Sequence, residues 1–259
     1  MLENKYPLFK KNEILEKGML DLLRDNPMEI INQLYDDYSD GILNGFDFSI
    51  NWEEKKLVLN PGILKFDGKI FWEKDVREIP FPETEDHYII KFRLKCYSEE
   101  KKYYKRNGEI IIETGTAVNE DELELVRFIM REGAELRDNY EKFEDLNREY
   151  NTLQVINVRY SSKHKLGTLN PLITMFWGME AAERENVNTE DIVFYTACLN
   201  GLVERNIITL YINRKLRIET REFTNMEMYE ELNKILNGLW PRRTIGVRQI
   251  FRPDKIIVD

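Results

Sequence analysis

Apolar residues recur at helical spacing over roughly the first 35 residues of the chain. Segment 8–25 places its apolar positions on one helical face. Asn26-Pro27 then predicts the end of one helix and the start of another, since asparagine caps helices and proline suits a first turn. A second stripe follows at 30–35. We therefore expect an N-terminal helical segment over residues 1–41, built from two short helices.

The period changes to two after residue 41, which is typical of strands. Phe46, Phe48 and Ile50 alternate with polar residues. Asn60-Pro61-Gly62 predicts a turn, and Asp67-Gly68 predicts a hairpin. Further short strands are predicted up to Val118. Residues 42–118 are thus expected to form a small antiparallel β sandwich or barrel.

Helical spacing returns in the second half of the sequence. Segment 119–150 is acidic at its start and is predicted to be a linking helix or a helix pair. Residues 151–240 are predicted to be mainly helical, with Asn170-Pro171, Thr189 and Thr224 near helix starts. The stretch ERNIITLYINRKL favours a helix, although its β-branched residues leave a strand open. Residues 241–259 are predicted to be a basic, extended tail interrupted by proline. Taken together, the predicted helices and the antiparallel strands give an α+β fold class.

Composition narrows the functional classes. The chain has 259 residues and a formal net charge of −9, which disfavours general nucleic-acid binding. Its two cysteines, Cys96 and Cys198, are far apart and are interpreted as reduced thiols, one in a strand and one buried in a helix. The first residues are charged and amphipathic, unlike a signal peptide, and no apolar run reaches the length of a membrane span. We expect synthesis in the cytoplasm and no membrane partner.

Motifs for catalysis are weak throughout the sequence. Gly62 to Gly68-Lys69 resembles a phosphate loop, but its spacing is wrong and Ile70 replaces the magnesium-binding hydroxyl. His87 and His164 are isolated, and the carboxylate clusters are best explained by solvation. A Cys–His pair stays open, because such partners meet only in the fold. We predict no catalytic, cofactor-binding or metal-binding residue, and no enzyme.

Large aromatic side chains near the predicted hairpin tips are candidate interface residues, because aromatic residues dominate binding hot spots. For each of them taken singly, a place in the core is the favoured interpretation. They are Trp52, Phe66, Phe71 and Trp72.

The basic tail supplies a second set of interface candidates. Its charge suits docking on an acidic neighbour or on another copy of the chain, which we favour over a nucleic-acid arm. A disordered tail is an equally good interpretation. The candidates are Trp240, Arg242, Arg243 and Phe251.

The stretch DGILNGFDFSI, followed by LVLNPGILKFDGKIFW, resembles a pattern found near the N-termini of phage baseplate and tail-fibre proteins. The matching residues are Gly41, Gly45, Pro61, Gly62, Asp67 and Gly68. With its start, YPLFKKNEIL, and its helical second half, the chain is also similar to contractile-tail proteins of clostridial prophages and phage-tail-like bacteriocins.

The resemblance implies a structural baseplate or tail-fibre attachment protein. Its expected partners are other baseplate or tail proteins, the tail fibre and further copies of itself, within a particle released from the cell. A cell-wall hydrolase of the same particle is the alternative function. A nucleic-acid-binding protein is a weaker one.

Overall fold

The computed structural model describes residues 5–11, 14–95, 98–100, 103–105, 107–131, 133, 135–148, 150–219 and 221–239. Short antiparallel sheets fill the first half of the chain, and helices fill most of the second half. The predicted α+β class is confirmed. Among the described residues the strands do not close into a barrel.

The strands in the described part of the chain form three sheets of three strands each and one separate hairpin. The first sheet has the order β1-β4-β5, the second β2-β3-β6 and the third β10-β7-β11, all antiparallel, and β8 pairs with β9. The bounds are β1 Gly41–Gly45, β2 Phe48–Asn51, β3 Lys56–Leu59, β4 Gly62–Phe66, β5 Lys69–Glu73, β6 Arg77–Pro80, β7 His87–Leu94, β8 Ser98–Glu100, β9 Tyr103–Lys105, β10 Gly108–Thr114 and β11 Glu122–Ile129. The predicted Asp67-Gly68 hairpin joins β4 to β5, with Asp67 and Gly68 both at positive φ.

The linking helix or helix pair predicted over 119–150 is wrong. The segment contains β11, which pairs with β7, and a 3-10 helix at Phe143–Asn147. Apolar residues of β11 have both helical and alternating spacing, because a register shift between Glu124 and Val126 interrupts the strand alternation. The remaining segment boundaries stay predictions.

Five α-helices are described: α1 Lys17–Leu34, α2 Pro171–Ala182, α3 Thr189–Leu199, α4 Arg205–Leu216 and α5 Asn225–Gly238. The ambiguous stretch is helix α4, as favoured. Asn170 caps α2 with Pro171 at its first position, and Thr224 and Glu227 form the predicted capping box of α5. The cap of α3 is Asn188, one residue before the predicted Thr189.

The described residues form two hydrophobic clusters. The first lies among the helices and includes Trp177, Phe194 and Tyr229, and the second lies between the sheets and includes Ile42, Leu64 and Phe92. The partly buried Val155 packs against both clusters. The β part and the helical part therefore meet through shared packing.

The two N-terminal helices predicted around Asn26-Pro27 are instead the single helix α1, which contains Pro27. A proline inside a helix removes one backbone hydrogen bond. Here that loss falls where every residue is at least partly exposed to solvent, so water can satisfy the free carbonyl group. Residues 8–11 and 14–16, also predicted helical, lie outside α1.

Candidate docking surface

The glycines of the resemblance pattern are sites of close backbone approach. Gly45 pairs with Gly62 across β1 and β4, and a Cβ atom at Gly45 would overlap the carbonyl oxygen of Pro61. A Cβ atom at Gly62 would lie 2.5 Å from the amide nitrogen of Phe46, and one at Gly41 would lie 2.7 Å from the amide nitrogen of Ser161. Both distances are shorter than real Cβ contacts allow. The pattern therefore produces tight packing of β1, and only Asp67-Gly68 acts as a simple turn.

Backbone hydrogen bonds fix the segment after α1 to a distant part of the chain. The Ile42 amide donates to the Arg159 carbonyl at 2.9 Å, and the Ser161 amide donates to the Ile42 carbonyl at 2.8 Å. The Ser161 hydroxyl also donates to the carbonyl of Ser39 at 2.5 Å. Ser39, Ile42 and Ser161 are buried, which makes the start of β1 a rigid base for the helix that precedes it.

Lys65 holds the carboxyl end of α1 on this base. Its side chain lies on β4 and is 7% exposed, and Nζ donates hydrogen bonds to the carbonyl oxygens of Tyr35 (2.6 Å), Asp36 (3.2 Å) and Tyr38 (2.7 Å). A cation at this end of a helix satisfies free carbonyl groups and opposes the negative end of the helix dipole. A lysine within a strand gives no signal in the sequence for this role, because its partners follow α1, about 30 residues earlier in the chain.

Helix α1 is apolar but unburied. None of its 18 residues is buried, although it carries leucine, isoleucine and methionine along its length. Its exposed large side chains are Leu20, Leu23, Met28, Ile30, Ile31 and Leu34. The preceding residues add Tyr6, Leu8, Phe9, Ile14 and Leu15. We call this set the N-terminal apolar surface, and exposed surfaces of this kind mark binding sites.

A cleft of about 720 Å³ lies between α1 and the sheets. Met28 lines it from the helix, and β4, β5, β7 and β10 line it from the other side. Phe71 and Trp72 contribute from β5, so two of the predicted interface residues lie beside the N-terminal apolar surface. The cleft extends that surface onto the β part of the chain.

The four aromatic candidates of the β part have different environments. Phe66 is 7% exposed and packs against Phe92 in the core, so it is not available to a partner. Phe71 is half-buried and also contacts Phe92. Trp72 is 55% exposed and Trp52 is 43% exposed, the latter packed edge-on against Phe81. The two tryptophans therefore remain candidates for an interface.

The four candidates of the basic tail, Trp240, Arg242, Arg243 and Phe251, lie outside the described residues, as does Cys96.

Cys198 is buried in the helical cluster, as predicted. Burial raises the pKa of its thiol to about 12, so Cys198 supplies no thiolate at neutral pH. His164 is exposed on a loop, near Asp37 and Glu204, and His87 is exposed at the start of β7. Within the described part of the chain, no group of three or more His, Cys, Asp or Glu side chains is placed to hold a metal ion.

In the segments that the structure describes, no helix combines the length and the apolar character needed to cross a membrane.

Comparisons with known proteins find solved structures similar to this chain, among them the two that follow. A chain in the cryo-electron microscopy structure of the type VI secretion system TssK-TssF-TssG baseplate subcomplex has a TM-score of 0.43 and 10% identity, over 92% of this chain and 99% of that chain. The crystal structure of TssK has a TM-score of 0.42 and 9% identity, over 92% of this chain and 73% of that chain. No protein-family model and no curated protein matches the sequence.

Proposed function

We propose that the chain is a structural component of a contractile phage-tail-like particle, placed in the baseplate or at the attachment of a tail fibre. It acts through protein–protein interfaces without catalysis. It is made in the bacterial cytoplasm and becomes part of the released particle. Its partners are neighbouring baseplate or tail proteins, the fibre and other copies of itself.

The observation that carries this proposal is the N-terminal apolar surface. A helix with six exposed large apolar residues and no buried residue contributes little to the stability of its own chain. Covering those side chains with a partner would remove them from water, at roughly 25 cal/mol per Å² of apolar area. An apolar surface that contributes favourable free energy only when a partner buries it is expected of a subunit in a larger assembly.

Three further features support a role based on shape. Gly41, Gly45 and Gly62 allow backbone segments to pack closer than side chains would permit. Lys65 fixes the end of α1, and the bonds around Ser161 fix the start of β1. A rigidly mounted helix is pre-organised for binding, which lowers the entropic cost of association. The same glycines belong to the baseplate and tail-fibre pattern, which supports the type of particle proposed.

The test is incorporation into particles. Tagged full-length chain and a variant lacking residues 1–34 are expressed in a bacterium that produces the particle, and contractile particles are purified and probed for the tag. The deletion stops before β1, because Ile42 belongs to the core of the β part. We expect the full-length chain in the particles and the truncated chain only in the unassembled fraction.

A variant with Val193→Glu is the control. Val193 is 66% exposed on α3, far along the chain from α1, and the variant is expected to assemble normally. Circular dichroism and thermal melting establish that both variants are folded. Absence of the full-length chain from purified particles would overturn the proposal.

A further inference from the structure

The exposed apolar residues of α1 include a stripe with the spacing of a coiled-coil seam. Its members are Leu20, Leu23, Pro27, Ile30 and Leu34, which follow one another at intervals of three, four, three and four residues. Alternating intervals of three and four keep side chains on one line of a helix that winds around a partner helix. We call these five residues the α1 seam.

The α1 seam faces away from the rest of the chain. Its leucines and isoleucine are 50–65% exposed, and all five of its residues are classed as exposed. Met28, which lines the cleft toward the sheets, lies well around the helix from Pro27, at about 100° per residue. The less exposed residues Leu22 and Asp25 also lie off the seam. The chain therefore presents the line of apolar side chains outward and keeps other residues of α1 toward its own sheets.

We propose that the α1 seam binds the α1 seam of a second copy of this chain, forming a short helical coiled coil between protomers. The inference rests on the proposed function and assigns the contact between copies to one surface. A second copy fits this surface because two identical seams, each with three leucines, one isoleucine and Pro27 at the centre, have the same length and spacing, as contacts between identical subunits require.

Charges beside the seam are compatible with self-pairing. In a coiled coil the positions next to the seam face the partner helix and select it by charge. Here the charged residues at those positions are Lys17 and Arg24, and Arg24 forms ion pairs with Asp21 and Asp25 of its own helix. The other flanking residues, Met19, Asn26, Ile31 and Gln33, are uncharged. Each copy therefore carries two positive charges beside the seam, and the carboxylates of Asp21 and Asp25 balance that of Arg24.

The size of the seam predicts weak association. A helix of 18 residues is about 27 Å long, at 1.5 Å per residue. Stable interfaces bury roughly 1,200–2,000 Å², and two short seams reach at most the lower end of that range. The contact is therefore expected to depend on protein concentration, with neighbouring subunits of a particle raising the effective concentration.

The first test measures association of the full chain. Sedimentation velocity over a range of micromolar concentrations is expected to show a wild-type chain that associates reversibly. Leu23→Glu places a charge in the seam and is expected to weaken association at least tenfold. Gly18→Glu adds the same charge on the same helix, off the seam and in open space, and is expected to associate as the wild type does. Circular dichroism checks that all three chains are folded.

The second test locates the contact. Hydrogen exchange of residues 17–34 is expected to slow as the concentration of the wild-type chain rises, and to stay constant for Leu23→Glu. A wild-type chain that remains monomeric would overturn the inference. So would association that Leu23→Glu leaves intact, that Gly18→Glu weakens equally, or that gives α1 no added protection.

The particle assay separates this inference from the proposed function. A chain that is monomeric at all concentrations but enters particles refutes the α1 contact and leaves the structural role standing. A chain that associates through α1 but is absent from particles refutes the proposed structural role and leaves the α1 contact standing.

Discussion

The Nζ atom of Lys65 lies 2.6 Å from the carbonyl oxygen of Tyr35, so a buried cation on β4 fixes the residue that caps the carboxyl end of α1. The same ammonium group donates to Asp36 and Tyr38. All three of its protons can be used in this way, and the helix that carries the N-terminal apolar surface is thereby joined to the β part. Lys65 thus acts together with the hydrogen bonds between Ser39 and residues 161–162 to fix the segment that follows α1.

Replacing Lys65 by methionine tests this role. Lys65→Met leaves an unbranched apolar side chain one atom shorter and removes the hydrogen bonds of Nζ to Tyr35, Asp36 and Tyr38, although the Tyr35 carbonyl still accepts from the Tyr38 amide. Hydrogen bonds to charged groups contribute roughly 1.5–3 kcal/mol, so we expect a loss of about 2 kcal/mol in the free energy of unfolding. We also expect hydrogen exchange of residues 17–35 to quicken at least tenfold.

Lys69→Met is the matched control. Lys69 is exposed at the start of β5, and its substitution is expected to change the free energy of unfolding by less than about 0.5 kcal/mol. If exchange in α1 responded equally to both substitutions, or to neither, Lys65 would not be what holds the helix.

The close approach of β1 to β4 gives a second prediction. Gly45 has φ +70°, and an added Cβ atom would overlap the Pro61 carbonyl oxygen, so Gly45→Ala requires β1 and β4 to separate. We expect a loss of at least about 3 kcal/mol in unfolding free energy from steric conflict and backbone strain together. Chemical denaturation measures it.

Gly68→Ala separates strain from crowding. Gly68 has a similar φ of +65°, but no atom lies within 4 Å of an added Cβ atom. Its substitution should therefore cost only the conformational penalty, about 1 kcal/mol. Equal losses at the two positions would show that the pattern glycines serve turns alone.

The turns and helix starts that depend on a few neighbouring residues could be predicted from the sequence. Asp67-Gly68 marked its hairpin because both residues suit the positive φ values found there. Thr224 and Glu227 likewise marked the start of α5 through their reciprocal hydrogen bonds. Both signals are local, because the residues that carry them determine the backbone conformation only of their immediate neighbours.

Errors arose where distant contacts decide the structure. Glu122 and Glu124 gave β11 the appearance of an acidic helix start, yet both are buried, and Glu122 forms an ion pair with Lys91, which lies 31 residues away on β7. Such partners cannot be identified along the sequence. The docking surface shows the same limit, because apolar spacing revealed that α1 has an apolar face but not that the chain leaves it uncovered.

The aromatic interface candidates provide a third prediction, because some of them are exposed to solvent and others are buried in the core. Trp72→Ala removes a side chain that is 55% exposed, and we expect it to change the free energy of unfolding by less than about 1 kcal/mol. Phe66→Ala removes a core side chain and is expected to cost about 3–5 kcal/mol. Thermal or denaturant unfolding of the two variants measures the difference. A large loss for Trp72→Ala would assign Trp72 to the fold and remove it from the candidate interface.

The buried carboxylate of Glu122 gives the fourth prediction, which concerns pH. Burial alone would raise its pKa, but hydrogen bonds from Lys91, the Asn119 amide and Arg93 outweigh burial and hold the pKa at about 2. A carboxyl group with a lowered pKa in the folded state stabilises the fold above its ordinary pKa of about 4.5. That stability is lost as the pH falls from about 5 toward 2.

Glu122→Gln is the variant that tests this coupling, because the neutral amide cannot titrate. At pH 7 we expect it to lower the free energy of unfolding by about 3 kcal/mol, since Lys91 loses the partner with which it is buried. The difference from the wild type should be constant above pH 5 and shrink as the pH falls below it. Denaturant unfolding at a series of pH values measures it.

Glu109→Gln is the surface comparison for the same measurement. Glu109 pairs with Lys95, which is 52% exposed, so its substitution should change stability by less than about 1 kcal/mol at any pH. A wild-type difference for Glu122→Gln that stayed constant down to pH 3 would contradict the assigned linkage. In that case the acid sensitivity of the fold would have to come from other carboxyl groups, and the buried cluster on β7 and β11 would act through packing alone.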